Sequence, residues 1–384
     1  MSKWVTAWGT PVSFVGEGIG NYVADTTFRQ MFYTPISAKK IKLRFSNEYG
    51  KTDVKLDKVV FAEYAEKTAA ILNGTKRIVT FNDNGNVIKS GSTLLSDEIE
   101  FEVEACKNYV VSFYIKDITP LDTGYNRFAG DKMFPCWIAR GDLADEERFP
   151  ANNRNEVFST PFFCGVDVET GDNVRSIMAF GDSITARPWP DLLARRINGE
   201  GMTDCSVVRK AIGGNRVLRD YRNNLTRRRM GVAAIDRFET AIEQVLGVET
   251  VIMLEGINDI MHPQPDSPFS DMSELPTASE LIEGYKKCID IAHGKGAKMY
   301  LCTILPCERM LTYVGDREKL RQEVNEWIRT NDYADGYVDF DKAVADEEQP
   351  TKLKAEYNCG DDLHPSQQGS QALCDAIPEY IYKK

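Results

Sequence analysis

The sequence has no apolar run long enough to cross a lipid bilayer, and residues 1–6 lack the uninterrupted apolar core of a signal peptide. Basic residues are also few: 47 Lys and Arg against 58 Asp and Glu give a formal net charge of −11. Nucleic acid and anionic membranes bind basic surfaces, so the composition argues against both as partners. We therefore expect a cytoplasmic protein that acts on a small or neutral molecule.

The nine cysteines have no regular spacing. Their number is odd, they are scattered along the chain, and no Cys-x-x-Cys or Cys/His pattern of a zinc site occurs. We predict buried free thiols rather than disulfides. The sequence calls for no metal and no organic cofactor.

The chain is longer than one hydrophobic core usually needs, which predicts two domains. From residue 28 to about residue 115, apolar and polar residues alternate, as at residues 40–45 and 98–103. This alternation, broken by turn residues, is typical of half-buried strands in a β-sandwich or jelly roll. We assign an all-β accessory domain to residues 1–170.

The remaining residues, 171–384, alternate between short apolar runs and helical patterns. Strands are predicted at residues 176–180, 205–210, 250–254, 298–303 and 337–340. Helices are predicted at about residues 189–197, 233–246, 278–293, 317–329 and 366–381. This order predicts an α/β fold with a flavodoxin-like, doubly wound parallel sheet.

Four polar clusters follow strand ends or precede the last predicted helix. They are Gly181-Asp182-Ser183, Ile212-Gly213-Gly214-Asn215-Arg216, Glu255-Gly256-Ile257-Asn258-Asp259 and Gly360-Asp361-Asp362-Leu363-His364-Pro365. In an open α/β sheet, ligands bind at the carboxyl ends of the strands. Each cluster taken alone also fits a helix cap or a glycine-rich turn, and only their common position indicates a site.

Only three histidines are present. His364 has carboxylates two and three residues upstream and a proline directly after it, as a base with an orienting partner requires. His293 is interpreted as a cation at a helix end, and His262 as a solvated residue or one at the substrate's edge.

The four clusters, in this order, resemble the SGNH, or GDSL, hydrolase family from about residue 174 to the C-terminus. The resemblance implies that Ser183 is the nucleophile, that His364 is its base, and that Asp361 orients the imidazole. It also implies an oxyanion hole made by the backbone N–H groups of Ser183 and Gly214 and the side-chain amide of Asn258.

Two further features concern the match to this family. The β-rich half, with Arg44-Phe45-Ser46-Asn47-Glu48-Tyr49-Gly50 and Ser96-Asp97, is similar to a jelly-roll-like domain that precedes the hydrolase in one bacterial subgroup. The second cluster departs from the family, which often has asparagine at the position of Arg209 and glycine at that of Ala211.

The resemblance implies a serine esterase that removes short acyl groups, and O-acetyl esters of a carbohydrate are the expected substrates. A lipase or thioesterase is the alternative enzyme, and an inactive carbohydrate-binding protein is the alternative of a different class. The expected partner is a small-molecule or oligosaccharide ester. Candidate substrate-binding residues are Asp182, Asn215, Arg216 and His262.

An arginine series begins directly after Gly214. It comprises Arg216, Arg219, Arg222, Arg227, Arg228 and Arg229. One hypothesis places a guanidinium at the rim of the crevice, where it would select an acidic sugar. The alternative is internal pairing with Asp220, Asp236 or Glu239.

Overall fold

The computed structural model describes residues 2–15, 22–82, 85–126, 133–265, 267, 269–308 and 315–384. By its contacts the chain forms two compact units. The first contains the chain up to residue 174 together with residues 198–206, and the second contains residues 175–197 and 207–384.

The first unit is rich in antiparallel strands. Its strands are β1 (Ser2–Gly9), β2 (Ser13–Phe14), β3 (Tyr22–Val23), β4 (Thr26–Thr34), β5 (Ala38–Ser46), β6 (Val54–Lys55), β7 (Lys58–Glu63), β8 (Arg77–Ile78), β9 (Val87–Ile88), β10 (Thr93–Leu95), β11 (Ile99–Val103), β12 (Lys107–Ile115), β13 (Thr119–Pro120), β14 (Thr123–Asn126), β15 (Cys136–Arg140), β16 (Asn155–Val157), β17 (Ser159–Pro161) and β18 (Phe163–Gly171). A 3₁₀ helix spans Ala151–Asn153.

Two larger sheets form the body of this unit. One has the order β1-β18-β5-β10, with β11 also paired to β5, and the other has the order β16-β15-β4-β12-β7-β8. The predicted alternation at residues 40–45 and 98–103 is confirmed, because β5 and β11 alternate between buried and more exposed residues. Buried aromatic rings join the two sheets: Phe45 packs edge-on against Phe113 at 5.7 Å, and Phe32 lies 6.2 Å from Phe163.

A buried arginine ties the loops of this unit to β4. The side chain of Arg29 donates hydrogen bonds to the Ser112 hydroxyl and to backbone carbonyls of Ala69, Leu143, Ala144 and Glu146. Burial lowers its pKa to about 10, so it remains protonated at neutral pH. The guanidinium therefore supplies hydrogen bonds to four carbonyls, and the Leu143 carbonyl also accepts the N–H of Glu146.

Replacing Arg29 by Met is expected to lower the free energy of unfolding by about 3–5 kcal/mol, because buried carbonyls that lose their donor cost about 1–3 kcal/mol each. Urea unfolding of the purified protein measures the change. Arg148→Met, at an exposed position in the same unit, is the control and should change stability little. Equal stability of the two variants would contradict the role given to Arg29.

The second unit has a five-stranded sheet. Its strands are β19 (Arg175–Gly181), β20 (Cys205–Ala211), β21 (Val248–Leu254), β22 (Lys298–Cys302) and β23 (Gly336–Val338). The sheet order is β20-β19-β21-β22-β23, and β21 pairs in parallel with both β19 and β22, as does β23 with β22. Counted from β19, this is the order 2-1-3-4-5 of flavodoxin-like sheets, as predicted.

Among the described residues, eight α-helices lie wholly or partly in the second unit. They are α1 (Trp189–Gly199), α2 (Asn224–Met230), α3 (Ala234–Glu243), α4 (Ile257–Met261), α5 (Ala278–Gly294), α6 (Gly315–Thr330), α7 (Phe340–Val344) and α8 (Gln367–Asp375). Short 3₁₀ helices span Met272–Glu274, Ala355–Tyr357 and Glu379–Ile381. No helix among the described residues is long and apolar enough to span a membrane.

Two predicted elements of this unit are corrected. Phe340 does not end a strand but begins α7, whose first turn is capped by the side chain of Asp339. The single helix predicted at residues 366–381 ends at Asp375 instead, and a 3₁₀ helix follows Pro378. Proline has no N–H to continue the helical ladder, which explains the break. The nine cysteines are all free, and Cys106 and Cys359 are the exposed ones.

Candidate active site

The turn after the central strand β19 carries Ser183. Gly181 allows the turn, because a side chain there would collide with Thr185 and with the backbone carbonyl of Leu254. The side chain of Asp182 then accepts a hydrogen bond from the N–H of Ile184 at 2.8 Å. These contacts fix Ser183 at the carboxyl end of β19, as the sequence predicted.

The loop before α8 carries the second half of the site. One carboxylate oxygen of Asp361 accepts the backbone N–H groups of Leu363 and His364, at 3.1 and 2.8 Å. The other oxygen accepts Nδ1 of His364 at 2.6 Å. These hydrogen bonds outweigh the burial that opposes ionisation, and they lower the pKa of Asp361 to about 2. Asp361 is therefore a carboxylate at any working pH.

The two halves meet at the imidazole. Nε2 of His364 lies 2.7 Å from Oγ of Ser183. Because Nδ1 donates its proton to the Asp361 carboxylate, Nε2 carries the lone pair that accepts the serine proton. Burial lowers the pKa of His364, although the Asp361 carboxylate raises it, and the neutral base is favoured at neutral pH. The predicted residues Ser183, His364 and Asp361 thus form one hydrogen-bonded chain.

Two backbone donors accompany this chain. Among the residues that the structure describes, the N–H groups of Ser183 and Gly214 have no hydrogen-bond acceptor. Gly214 has φ of +78°, and a Cβ there would press on Met230. The amide of Asn258 is engaged differently from the prediction: Nδ2 donates to the carbonyl of Asn215 at 2.8 Å and to the Asp182 carboxylate at 3.4 Å. Without substrate, the donors that remain unused are therefore the two backbone groups.

Three of the four candidate substrate-binding residues have buried side chains that make internal hydrogen bonds. Asp182, Asn215 and Arg216 are at most 2% exposed and are hydrogen-bonded within the protein. Asn215 donates to the carbonyls of Met230 and Val232. Arg216 donates to Glu274 and lies over the ring of Tyr221. Their polar residue types, beside the motifs, suggested contact with substrate. In the structure these side chains form hydrogen bonds between loops of the protein.

His262 is the candidate that reaches a cavity. A cavity of about 270 Å³ has a lining that includes Tyr221, Met230, His262 and Phe269. The Tyr221 hydroxyl donates to the carbonyl of Gly214 at 2.5 Å and also contacts Nδ1 of His262. Burial lowers the pKa of His262 to about 4, so its ring is neutral at pH 7. Tyr221 therefore joins the cavity wall to Gly214, whose N–H is a predicted oxyanion donor.

Four members of the arginine series, Arg216 among them, form ion pairs within the protein. Arg219 contacts Glu280, Arg222 contacts Glu274, and Arg227 contacts Asp220. Asp220 is the one partner in these pairs that was predicted from the sequence. Internal pairing thus accounts for these four arginines, whereas Arg229 lines the cavity described above.

Arg237 in α3 lies beneath the site and was not among the residues predicted from the sequence. Its guanidinium donates to the carbonyls of Gly181 and Lys210, to the side chain of Asn215, and to Glu255. Glu255 is completely buried, and burial raises its pKa well above the ordinary value. The sequence did contain one signal: Glu255 directly follows the apolar strand β21. A carboxyl group buried at that place needs a partner, and Arg237 is that partner.

The departure at Arg209 also has a structural explanation. Its guanidinium donates to the carbonyl of Ala186 at 2.5 Å and pairs with Asp191 in α1. Ala186 ends the turn that carries Ser183, since its N–H donates to the carbonyl of Asp182. The arginine in β20 therefore supports the nucleophile turn.

The profile of the GDSL-like lipase/acylhydrolase family matches residues 179–372, which is 194 of the 384 residues. The chain belongs to this family. The match includes Ser183, Gly214, Asn258, Asp361 and His364, and it confirms the resemblance stated from the sequence.

A comparison with solved structures found matches of low identity to about half of the chain. A GDSL-like lipase from Bacteroides thetaiotaomicron is 16% identical with a TM-score of 0.40, covering 54% of this chain and 88% of its own. An acetyl xylan esterase is 18% identical with a TM-score of 0.40, covering 52% and 96%. A psychrotrophic esterase from Pseudoalteromonas sp. is 18% identical with a TM-score of 0.38, covering 53% and 94%. A search of curated proteins found no match.

The opposing influences on His364 predict a pH effect. Ester hydrolysis should fall as the pH drops through the pKa of His364, which lies below 6.5. Asp361→Asn removes the charge that raises this pKa, so the acid limb of kcat/KM should move to lower pH. The rate should also fall about 10³–10⁴-fold, because the tautomer is no longer fixed.

The matched control is Asp362→Asn. Asp362 accepts a hydrogen bond from Asn358 and has no contact with the imidazole among the described residues. Its pH profile should equal that of the wild type. An acid limb that moves to higher pH in Asp361→Asn would contradict the arrangement described here.

Proposed function

We propose that this protein is a serine esterase that hydrolyses short acyl esters, with O-acetyl groups of a carbohydrate as the substrate class. The observation that carries the proposal is the hydrogen-bonded chain Ser183–His364–Asp361, together with the N–H groups of Ser183 and Gly214, which have no acceptor among the described residues. This is the arrangement that acyl transfer to a serine requires.

The proposed reaction begins when Oγ of Ser183 attacks the ester carbonyl and its proton moves to Nε2 of His364. The carbonyl oxygen becomes an oxyanion that accepts the N–H groups of Ser183 and Gly214. Nε2 then protonates the leaving alcohol, and the C–O bond of the ester breaks to give an acyl-serine. Water attacks this ester with the same base, which releases the acid and restores Ser183.

Asn258 is proposed as the third oxyanion donor. Its 3.4 Å contact with Asp182 is long for a hydrogen bond, whereas the 2.8 Å contact with Asn215 fixes the amide plane. One N–H can therefore exchange a weak internal acceptor for the oxyanion while the other holds the side chain in position.

The cavity beside Gly214 supports a small substrate group. Its volume of about 270 Å³ lies just below the usual range for ligand sites, about 300–1,000 Å³. The lining combines apolar side chains, such as Met230 and Phe269, with the polar Gln264 and Thr226 and the cationic Arg229. Such a wall suits an acetyl group or one sugar ring better than a long acyl chain.

For the first unit we propose a jelly roll. Its eight principal strands are β1, β4, β5, β7, β8, the pair β10 and β11 counted as one, β12 and β18. Numbered in this order, one sheet reads 1-8-3-6 and the other 2-7-4-5, with β15 and β16 added beside β4. This order, two Greek keys wrapped into two sheets, supports the proposal.

Replacing Ser183 by Ala is expected to lower kcat for p-nitrophenyl acetate on the order of a million-fold, because the serine and its base act as a unit. The thermal unfolding midpoint should stay close to that of the wild type. If Ser183→Ala retained more than a tenth of the activity, another group would be the nucleophile. If the wild type itself were inactive on every ester tried, the binding-protein alternative would be favoured.

The acyl-chain preference separates an acetylesterase from a lipase or thioesterase. We expect kcat/KM to fall steadily from p-nitrophenyl acetate through butyrate to octanoate, because the cavity wall limits the length of the acyl chain. The three esters share one leaving group, so the series isolates the acyl group. A higher value on octanoate would support the lipase or thioesterase alternative.

A further inference from the structure

We propose that Cys359, Asp361 and His364 form a binding site for Zn²⁺, and that zinc bound there switches the esterase off. Binding depends only on the loop described above. The effect on activity rests on the proposed function.

The three side chains come from one tightly closed loop. The N–H of Cys359 donates to the carbonyl of His364 at 3.0 Å, and Asn358 forms a bridge with Pro365. This closure places the Cys359 sulfur at the same end of the loop as the carboxylate and the imidazole. One potential ligand atom from each residue lies within 4.8 Å of the other two.

Sulfur, carboxylate oxygen and imidazole nitrogen are the three ligand types that zinc prefers. Bonds of about 2.0–2.3 Å in a tetrahedral site put neighbouring ligand atoms roughly 3.3–3.8 Å apart. Side-chain movements that bring the ligand atoms about 1–1.5 Å closer together therefore suffice to bind an ion. A water molecule completes the coordination.

The cluster is accessible from solvent. Cys359 is exposed, and the side chains of Asp361 and His364 are 46% and 17% exposed. The guanidinium of Arg187 lies 3.6 Å from the Cys359 sulfur, and it opposes a second cation at this place. Arg187 must therefore move when zinc binds, which predicts a site of moderate affinity that chelators empty readily.

Zinc at this site stops catalysis whichever imidazole nitrogen it takes. Bound to Nε2, it occupies the lone pair that accepts the proton of Ser183. Bound to Nδ1, it breaks the hydrogen bond to Asp361 and leaves the imidazole proton on Nε2. In both cases Cys359 gives up its thiol proton to solvent as the S–Zn bond forms, because the thiolate is the metal ligand.

Two substitutions separate this site from general metal inhibition. Cys359→Ser removes the sulfur while leaving the proposed Ser183–His364–Asp361 chain intact. Cys106→Ser changes the other exposed cysteine, which lies in the first unit. Both variants should hydrolyse p-nitrophenyl acetate at the wild-type rate when no metal is added.

The first experiment titrates these proteins with zinc chloride in a buffer without chelator or thiol. Wild type and Cys106→Ser should lose activity together and regain it with EDTA. Cys359→Ser should need at least about tenfold more zinc for the same loss of activity. The reason is that even the loss of an outer-shell partner costs about 10–100-fold in metal affinity. Equal zinc sensitivity of Cys359→Ser and wild type would overturn the proposal.

The second experiment measures binding without catalysis. Ser183→Ala carrying Cys106→Ser is titrated with Cd²⁺, and the ultraviolet absorption of the cadmium–thiolate bond is followed. One equivalent should produce the band, and adding Cys359→Ser should remove it. A missing band in the first protein, or an unchanged band in the second, would reject the site. An inactive wild type that still gives this pattern would reject the proposed function alone.

Discussion

The site depends on the hydrogen bonds that the guanidinium of Arg237 donates. This guanidinium joins the last residue of β19, the backbone of β20 and the residue after β21, so the ends of three neighbouring strands share one cation. Two buried acids, Asp182 and Glu255, lie in this region, and burial raises the pKa of both. Arg237 offsets part of their desolvation and holds the loop of Gly214 through Asn215. Hydrogen bonds of Arg237 therefore support the turns that carry the proposed oxyanion donors, Ser183 and Gly214.

The sequence predicted which side chains meet in the candidate site, because their positions follow from topology. Parallel strands end at one edge of the sheet, so clusters after β19, β20 and β21 had to lie close together. His364 is 181 residues from Ser183, yet the resemblance to the family implied that the two side chains meet, and they lie 2.7 Å apart. The alternation of β5 was likewise readable, since one of its faces is buried.

Burial and pairing could not be predicted in the same way. Asn215 and Arg216 have the residue types of substrate contacts. Their sequence neighbours do not reveal that Asn215 is hydrogen-bonded to Met230 and Arg237, or Arg216 to Glu274. The importance of Arg237 depends on packing α3 against the sheet, which no local pattern encodes. Helix α8 ended early because a proline three residues after Asp375 outweighed an otherwise helical pattern.

The central claim is that Ser183 is a nucleophile activated by His364, and trapping that serine tests it most directly. The protein is treated with p-nitrophenyl ethyl methylphosphonate, and its intact mass is measured before peptide mapping. We predict one phosphonyl group per chain, located on Ser183, and no labelling of His364→Ala on the same time scale. An unlabelled wild type, labelling of another residue, or equally fast labelling of His364→Ala would contradict the claim.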